Sequence, residues 1–172
     1  MTRSGAGEPS EESPPDPSTE RRVHILVDAD ACPVKDEVLR VASRHAVHVT
    51  FVAGSWMRIN DGERVRLEVV DQGFDAADDR IVEHVTRGSI VVTADIPLAA
   101  RCLAKGAQVL GATGRPFTED NIGDVLATRT LLADLRGAGE PTRGPAAFTA
   151  RDRSRFLQVL DQMVHAALRM TG

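Results

Sequence analysis

The chain has 172 residues, a net charge of −4 and a hydrophobic content of 42%, which indicate one soluble globular domain with a substantial core. One tryptophan, five phenylalanines and no tyrosine argue against an aromatic platform as the main mode of nucleic-acid binding. We find no membrane-spanning apolar run and no signal-peptide segment. Two cysteines are too few for a disulfide framework. We therefore expect a cytoplasmic protein with no membrane association.

Strand and helix patterns alternate along the chain after a tail rich in proline, serine and glutamate. Residues 1–22 are predicted to form this disordered tail, and residues 23–172 a single domain. Strands are predicted at 22–27, 47–52, 66–70, 89–93 and 107–110, and helices at 33–44, 76–88, 97–105, 118–136 and 149–170. The alternation predicts the α/β class, specifically a three-layer α/β/α sandwich around a mainly parallel sheet.

Charge is distributed unevenly along the predicted domain. Residues 23–100 contain 8 Lys and Arg against 13 Asp and Glu, whereas residues 101–172 contain 10 against 7. An acidic first part and a basic second part suit a phosphate-bearing substrate that lies beside a metal ion. Solvated helix faces account for the same numbers equally well.

Aspartates stand at the ends of three apolar runs, and this pattern carries most of the functional information. Because the carboxyl ends of parallel strands share one edge of a sheet, we expect these carboxylates to converge there. Clustered carboxylates repel one another unless a cation neutralises them, and oxygen-only clusters suit Mg²⁺ or Mn²⁺. The predicted metal-binding and catalytic residues are Asp28, Asp30, Asp75, Asp79 and Asp95.

Each of these aspartates also has a structural interpretation. Asp30, Asp75 and Asp95 each stand just before a predicted helix, where a carboxylate caps free backbone N–H groups. Asp75 and Asp79 are one helical turn apart and share a face, so we favour them over Asp78 for the site. Three strand ends that all carry aspartate make capping alone the weaker account.

A few other residues are candidates for contacts with a phosphate. The Thr93 hydroxyl is placed to bind a metal-bound water or a phosphate near the following helix N-terminus. Arg151 and Arg155 lie one turn apart and either bind backbone phosphates or form ordinary surface salt bridges. Cys32 is interpreted as structural, and no histidine spacing predicts zinc.

Four segments together resemble the bacterial YaiI/YqxD family (UPF0178). They are residues 27–34 (VDADACPV), 73–79 (GFDAADD), 93–99 (TADIPLA) and the stretch from Arg143 to Phe156, and the resemblance covers about residues 23–165. The family pattern Thr-Gly-Gly-Pro has an arginine, Arg143, at its first glycine in this chain.

The family is similar in turn to the wider PIN/NYN group of nuclease-like domains. This resemblance implies an α/β/α sandwich whose acidic residues bind Mg²⁺ or Mn²⁺ and cleave RNA. Asp28 matches the first-strand aspartate of that group, Gly73-Phe74-Asp75 its Gly-x-Asp, and Thr93-Ala94-Asp95 its Ser/Thr-x-Asp.

The leading hypothesis is a metal-dependent nuclease that acts on RNA or DNA. Asp28, Asp75 and Asp95 would bind one or two divalent ions, and Asp30 and Asp79 would serve as further ligands or orient water.

Two other functions fit parts of the sequence. In a phosphatase of the haloacid-dehalogenase type, Asp28 would be the nucleophile and Asp30 the acid and base. Cys32 stands where that motif expects threonine or valine, and a downstream lysine motif is missing. A non-catalytic binding or regulatory module is the other alternative, although clustered repulsive carboxylates have no evident use there.

Overall fold

The computed structural model describes residues 22–30, 32–60, 62–71, 73, 75–139 and 147–172. In these ranges one sheet contains β1 (His24–Asp28), β2 (His48–Ala53), β3 (Val65–Val69), β4 (Ser89–Val92), β5 (Gln108–Leu110) and β6 (Pro116–Phe117). The helices of the described chain are α1 (Lys35–His45), α2 (Ala76–His84), α3 (Ile96–Ala104), α4 (Glu119–Gly137) and α5 (Ala150–Thr171). The predicted alternation of strands and helices is confirmed.

The strand order in the sheet is β3-β2-β1-β4-β5-β6. Strands β1 to β5 are parallel, and β6 pairs antiparallel with β5. From β1 the chain adds β2 and β3 on one side, then crosses to add β4 and β5 on the other. The direction of strand addition therefore reverses between β1 and β4. Their register places Val27 beside Val92, so the two strands end together.

One face of the sheet is covered by α1 and α5. Val38 of α1 and Phe156 and Leu160 of α5 are fully buried against Ile25 and Phe51 of the sheet. The buried stripe on α5 follows from apolar residues at helical spacing, which put them on one face. The predicted long terminal helix is thus confirmed as a core element.

The other face is covered by α2 and α3. Ile81 of α2 and Leu98 and Cys102 of α3 pack on Leu26 and Val91, and all five side chains are inaccessible to solvent. Because successive strand residues point to opposite faces, a strand with helices on both faces is apolar throughout, as in β1 and β4. The predicted three-layer sandwich is confirmed.

The hairpin of β5 and β6 was not predicted, because a two-residue strand is too short to show an alternating pattern. The Gly111 N–H donates to the Arg115 carbonyl at 2.9 Å across the turn, and Gly114 adopts a φ of +83°. A side chain at Gly114 would also meet backbone of Arg155 and Phe156 at 2.8 and 2.7 Å. This turn therefore packs directly on the start of α5.

Some expectations lie outside the described residues. The predicted disordered tail is one, since only Arg22 of residues 1–22 is described, and the loop around Arg143 is another. Among the helices that the structure describes, none has the length and apolarity needed to cross a bilayer. Cys32 and Cys102 are free thiols, and the cytoplasmic location stays a prediction.

Candidate functional site

The carboxyl edge of the sheet brings Asp28 and Asp95 together at the point where strand addition reverses. Asp28 is the last residue of β1, and Asp95 follows β4 shortly after its end. Ligands of open α/β sheets bind in the crevice outside the strand ends at such a reversal. A cavity of about 220 Å³ is found there, and we call it the acidic cavity. Its polar lining comprises Asp28, Asp30, Cys32, Thr93 and Asp95.

The Thr93 hydroxyl joins the two main aspartates of this cavity. It donates to Asp28 Oδ2 at 3.0 Å and accepts the backbone N–H of Asp95 at 3.0 Å. Thr93 is only 3% exposed. A hydroxyl has one proton, which the bond to Asp28 uses, so the Asp95 N–H binds a lone pair of the same oxygen. Through these two bonds Thr93 orients the Asp28 carboxylate and the loop that carries Asp95. The phosphate contact predicted for Thr93 stays a prediction.

Asp95 combines a capping role with its place in the cavity. Its Oδ1 accepts the Leu98 N–H at 3.0 Å and caps α3, where Pro97 stands in the first turn. The capping interpretation is therefore confirmed for this residue. The cap fixes the side chain rotamer, so the carboxylate is oriented at the edge of the acidic cavity before any ligand binds.

Asp30 does not cap the helix that follows it. The N-cap residue of α1 is Val34, whose side chain makes no cap hydrogen bond. Asp30 Oδ2 instead accepts the backbone N–H of Gly54, just beyond the end of β2, at 2.9 Å. The bond joins the loop after β1 to the loop after β2, and Asp30 lines the acidic cavity.

The aspartates at the start of α2 lie in different environments. Asp75 occupies the N-cap position in a left-handed conformation with a φ of 61°, and its side chain makes no cap hydrogen bond. A left-handed aspartate is uncommon and strained, which is typical of constrained sites. Asp79 pairs with Arg101 at 2.8 Å and is more than half exposed.

Asp78 lies in the electric field of the other acidic residues of the site. Partial burial, together with the negative charges of Asp95, Asp28 and Asp75, raises the pKa of Asp78 to about 6. The carboxylates of α2 and of the two central strand ends therefore share one electrostatic field. Sequence reasoning favoured Asp79 over Asp78, because helical spacing does not reveal that Arg101 lies beside Asp79.

Asp28 is in the same field. Burial raises the pKa of Asp28, the Thr93 hydrogen bond opposes this shift, and the charges of Asp30 and Asp95 add to it. Like-charged neighbours at a half-buried position disfavour ionisation unless a cation is present. The arrangement therefore favours either a shared proton or a bound cation.

The side chains of the acidic cavity are of the right chemical type to bind a divalent ion, but they are not already arranged around a common point. Every carboxylate in the cavity offers the hard oxygen ligands that Mg²⁺ and Mn²⁺ prefer. Within the described ranges, however, no group of three His, Cys, Asp or Glu side chains is already gathered as a coordination sphere. Metal binding would therefore require the carboxylates to move toward one another.

An ion pair that sequence reasoning missed supports the loop beneath the cavity. Arg153 of α5 binds the buried Glu37 carboxylate at 2.9 Å and also donates to the Pro33 carbonyl at 2.9 Å. Its guanidinium lies 5.1 Å from the centre of the Phe148 ring. Cys32 lies in the same loop, and burial raises the pKa of its thiol, in accord with a structural role. Nothing in the sequence pairs residues so far apart.

Arginines are present in the turn that reaches the acidic cavity and at the start of α5, which packs on that turn. Asp152 lies 4.0 Å from Arg155, and its lowered pKa reflects hydrogen bonds from Thr149 first and then the charges of Arg155 and Arg115. Arg115 follows the turn whose Ala112 lines the cavity. We call Arg115, Arg151 and Arg155 the basic rim. Arg151 is exposed, and the salt bridge of Arg155 matches the structural interpretation of this pair.

The comparisons agree with the resemblance seen in the sequence. The chain is 53% identical over 145 residues to a UPF0178 protein of Rhodopseudomonas palustris (strain HaA2), covering 84% of this chain and 88% of the relative. It is 52% identical over 146 residues to UPF0178 protein amb2838 of Paramagnetospirillum magneticum, covering 85% and 97%. No solved structure matches the chain. The sequence profile of the uncharacterised YaiI/YqxD family matches residues 26–166, and the chain therefore belongs to the YaiI/YqxD family, UPF0178.

Proposed function

We propose that this protein is a divalent-metal-dependent phosphodiesterase that cleaves RNA or DNA. The observation that carries the proposal is the placement of Asp28 and Asp95 at the strand reversal of the sheet, joined through the Thr93 hydroxyl. Carboxylates gathered at the crevice outside the strand ends, where the described lining residues include no basic side chain, have a chemical use when they bind a cation.

The residues divide into proposed ligands and positioning groups. Asp28 and Asp95 are the central Mg²⁺ or Mn²⁺ ligands, with Asp75 as the third, and Asp30, Asp78 and Asp79 are further ligands or water-orienting groups. A bound divalent ion supplies an activated water and stabilises charge on the scissile phosphate. Thr93 orients Asp28, and the α3 cap orients Asp95.

The basic rim is the proposed binding surface for the substrate backbone. Arg115 and Arg155 lie close enough for both to affect Asp152, and the turn before Arg115 reaches the acidic cavity. Arginine forks match phosphate oxygens, and such contacts position a nucleic acid without reading its sequence. A phosphodiester bound on the rim would lie beside the carboxylates.

The proposal includes kinship with the PIN/NYN group of nuclease-like domains. Its support is the match at Asp28, Gly73-x-Asp75 and Thr93-x-Asp95 and the position of these segments at one edge of a mainly parallel sheet. Fold alone does not specify an activity, so the residues of the site carry the argument.

Calorimetric titration with Mn²⁺ and Mg²⁺ tests the metal site. The wild type is compared with the Asp28→Asn/Asp95→Asn double variant and with Asp134→Asn, a matched control on the exposed helix α4. Asparagine still accepts the hydrogen bonds of Thr93 and Leu98, so the double variant removes charge while keeping the local contacts. We expect micromolar binding in the wild type and the control and none in the double variant.

Two outcomes would reject the metal site: no binding by the wild type, or equal binding by the double variant. In the first case the aspartates have structural roles only, Asp95 as a helix cap and Asp28 and Asp30 as hydrogen-bond acceptors, and the nuclease proposal is lost with them. Far-ultraviolet circular dichroism and an unfolding midpoint show that each variant is folded.

A non-catalytic binding module is the second candidate. The observation in its favour is that the described carboxylates do not already form a three-ligand group. Metal binding without turnover of single- or double-stranded RNA and DNA would support this alternative. Trapping of a phosphoryl group on Asp28 would instead support the phosphatase mechanism.

A further inference from the structure

A second polar groove lies at the amino edge of the sheet, opposite the acidic cavity. It has a volume of about 520 Å³ and is formed where β1, β2 and β3 begin and where α2 ends. We call it the amino-edge groove. Its basic lining residues are Arg22, His24, His48, Arg64, Arg66 and His84. Glu63 is the acidic residue of the lining, so the groove carries an excess of basic groups.

A second carboxylate, that of Glu68, lies beside the groove and binds Arg80, which does not line the groove, and His84, which does. Glu68 Oε2 binds Arg80 at 2.9 Å and His84 at 3.0 Å, and these bonds lower the pKa of Glu68 against the effect of its burial. Arg66 is 3.9 Å from the other oxygen of Glu68 and is largely exposed. Glu68 therefore offsets positive charge mainly at Arg80 and His84, and its contact with Arg66 is longer and exposed to solvent.

A half-buried histidine, His24, lies in the positive field of this groove. The His24 ring is hydrogen-bonded to the Thr50 hydroxyl, with Nε2 and Oγ1 2.9 Å apart. The pKa of His24 is lowered to about 4. Burial is the largest cause, the charges of His48, His84 and Arg66 add to it, and the charge of Glu68 opposes it. Because the basic neighbours add to the shift that burial causes, an anion bound beside them would raise the pKa of His24.

We propose that the amino-edge groove binds the phosphate groups of a small anion of nucleotide size. Arg22, Arg64 and Arg66 would bind the phosphate oxygens, since guanidinium forks match them in geometry and charge. The imidazole rings of His48 and His84 would add hydrogen-bonding groups. The groove volume lies within the roughly 300–1,000 Å³ range of small-molecule sites.

This site is separate from the acidic cavity. The two lie at opposite ends of β1, and a strand of five residues spans roughly 17 Å. The sheet core lies between them, so one small ligand cannot occupy both. The inference therefore goes beyond the nuclease proposal and does not depend on it.

The test follows the ring signals of the histidines by nuclear magnetic resonance while pyrophosphate is added to metal-depleted protein. Metal depletion prevents pyrophosphate from binding to a metal ion in the acidic cavity. Arg64→Gln/Arg66→Gln is the test variant, and Arg40→Gln on α1 is the matched control. We expect saturable binding to the wild type and the control, a rise in the pKa of His24, and at least ten-fold weaker binding to the test variant.

Equal affinity of the folded test variant and the wild type would overturn the proposal, as would an unchanged His24 titration at saturation. Asp28→Asn is expected to bind pyrophosphate as the wild type does, which separates this result from that of the nuclease test. Comparison of ATP with a 5′-phosphorylated dinucleotide then identifies the source of the phosphate. Tighter binding of ATP assigns a free nucleotide, and tighter binding of the dinucleotide assigns a nucleic-acid end.

Discussion

The two edges of one sheet have opposite chemistry in this protein. At the carboxyl edge, Asp28 and Asp95 line a small acidic cavity. At the amino edge, arginines and histidines line a larger groove, and Arg64 and Arg66 are among them. The same strand β1 contributes a residue to each, since it begins at His24 and ends at Asp28.

Strand direction explains why the two sets of charges do not mix. Strands β1 to β4 are parallel, so every residue that precedes a strand falls at one edge and every residue that follows it falls at the other. An antiparallel sheet would alternate the two ends along each edge. A parallel sheet can therefore support two sites of opposite charge.

The largest effect is expected from Asp28→Asn. If catalysis belongs to the carboxyl edge, this variant should lose at least 100-fold in metal-dependent cleavage of an oligonucleotide, equivalent to about 2.7 kcal/mol of transition-state stabilisation. Rates are measured with Mn²⁺ on single-stranded RNA and DNA. Asp134→Asn should retain the wild-type rate, and full activity of Asp28→Asn would contradict the assignment.

The second effect concerns the support of the carboxyl edge. Arg153→Met removes the partner of the buried Glu37 and the bond to the Pro33 carbonyl, and should lower the free energy of unfolding by about 2 kcal/mol. Urea unfolding at pH 7 measures it. Arg151→Met should change stability by less than about 0.5 kcal/mol, because Arg151 is exposed. Equal effects of the two substitutions would refute the supporting role.

The third effect separates the edges by pH. The folded-state pKa of His24 is lowered to about 4, so its contribution to stability is complete above the unfolded value of 6.5 and is lost as the pH falls toward 4. At pH 5 the loss relative to pH 8 should be about 1–2 kcal/mol. His24→Gln does not titrate, so its unfolding free energy should fall less between these pH values. Parallel curves for the two proteins would count against this.

The smallest effect has the opposite sign. The folded-state pKa of Asp78 is raised to about 6, so its contribution to stability is complete below the unfolded value of 3.8 and is lost as the pH rises through 6. Without metal, Asp78→Asn should be more stable than the wild type by roughly 0.5 kcal/mol at pH 8, a value reduced for solvent screening, and similar at pH 4. Thermal unfolding at both pH values measures the difference.

Asp79→Asn is the matched comparison for this prediction. Asp79 pairs with Arg101, so its replacement removes an attraction and should not stabilise the protein at pH 8. Equal stabilisation by the two neighbouring substitutions would show that net charge, and not the local field of the carboxyl edge, sets the response.

Local sequence was sufficient for the layers and for part of the site. Apolar periodicity predicted the buried strands and α5, because burial on two faces or on one stripe leaves a direct pattern. The aspartates at the ends of β1 and β4 were predicted to converge because parallel strands share an edge, and they do line one cavity. The strand β6 was missed because two residues carry no period.

Long-range pairings were beyond prediction. Asp30 was a candidate helix cap by position, yet it accepts the Gly54 N–H. This contact could not be predicted, because it depends on how β1 and β2 pair. The charge of Asp79 is matched by Arg101, which lies on another helix. Helical spacing predicts which residues are neighbours on one helix, but it does not predict contacts with residues of other elements.

By itself, the sequence determined which segments are strands and helices and that aspartates end the central strands, because these are local properties of pattern and propensity. Only the tertiary structure decided that Thr93 joins Asp28 to Asp95 and that Asp78 lies in the same electric field. It also decided that Arg64 and Arg66 line one groove with three histidines at the other edge. Those relations depend on strand order and register, which bring together residues far apart in the chain.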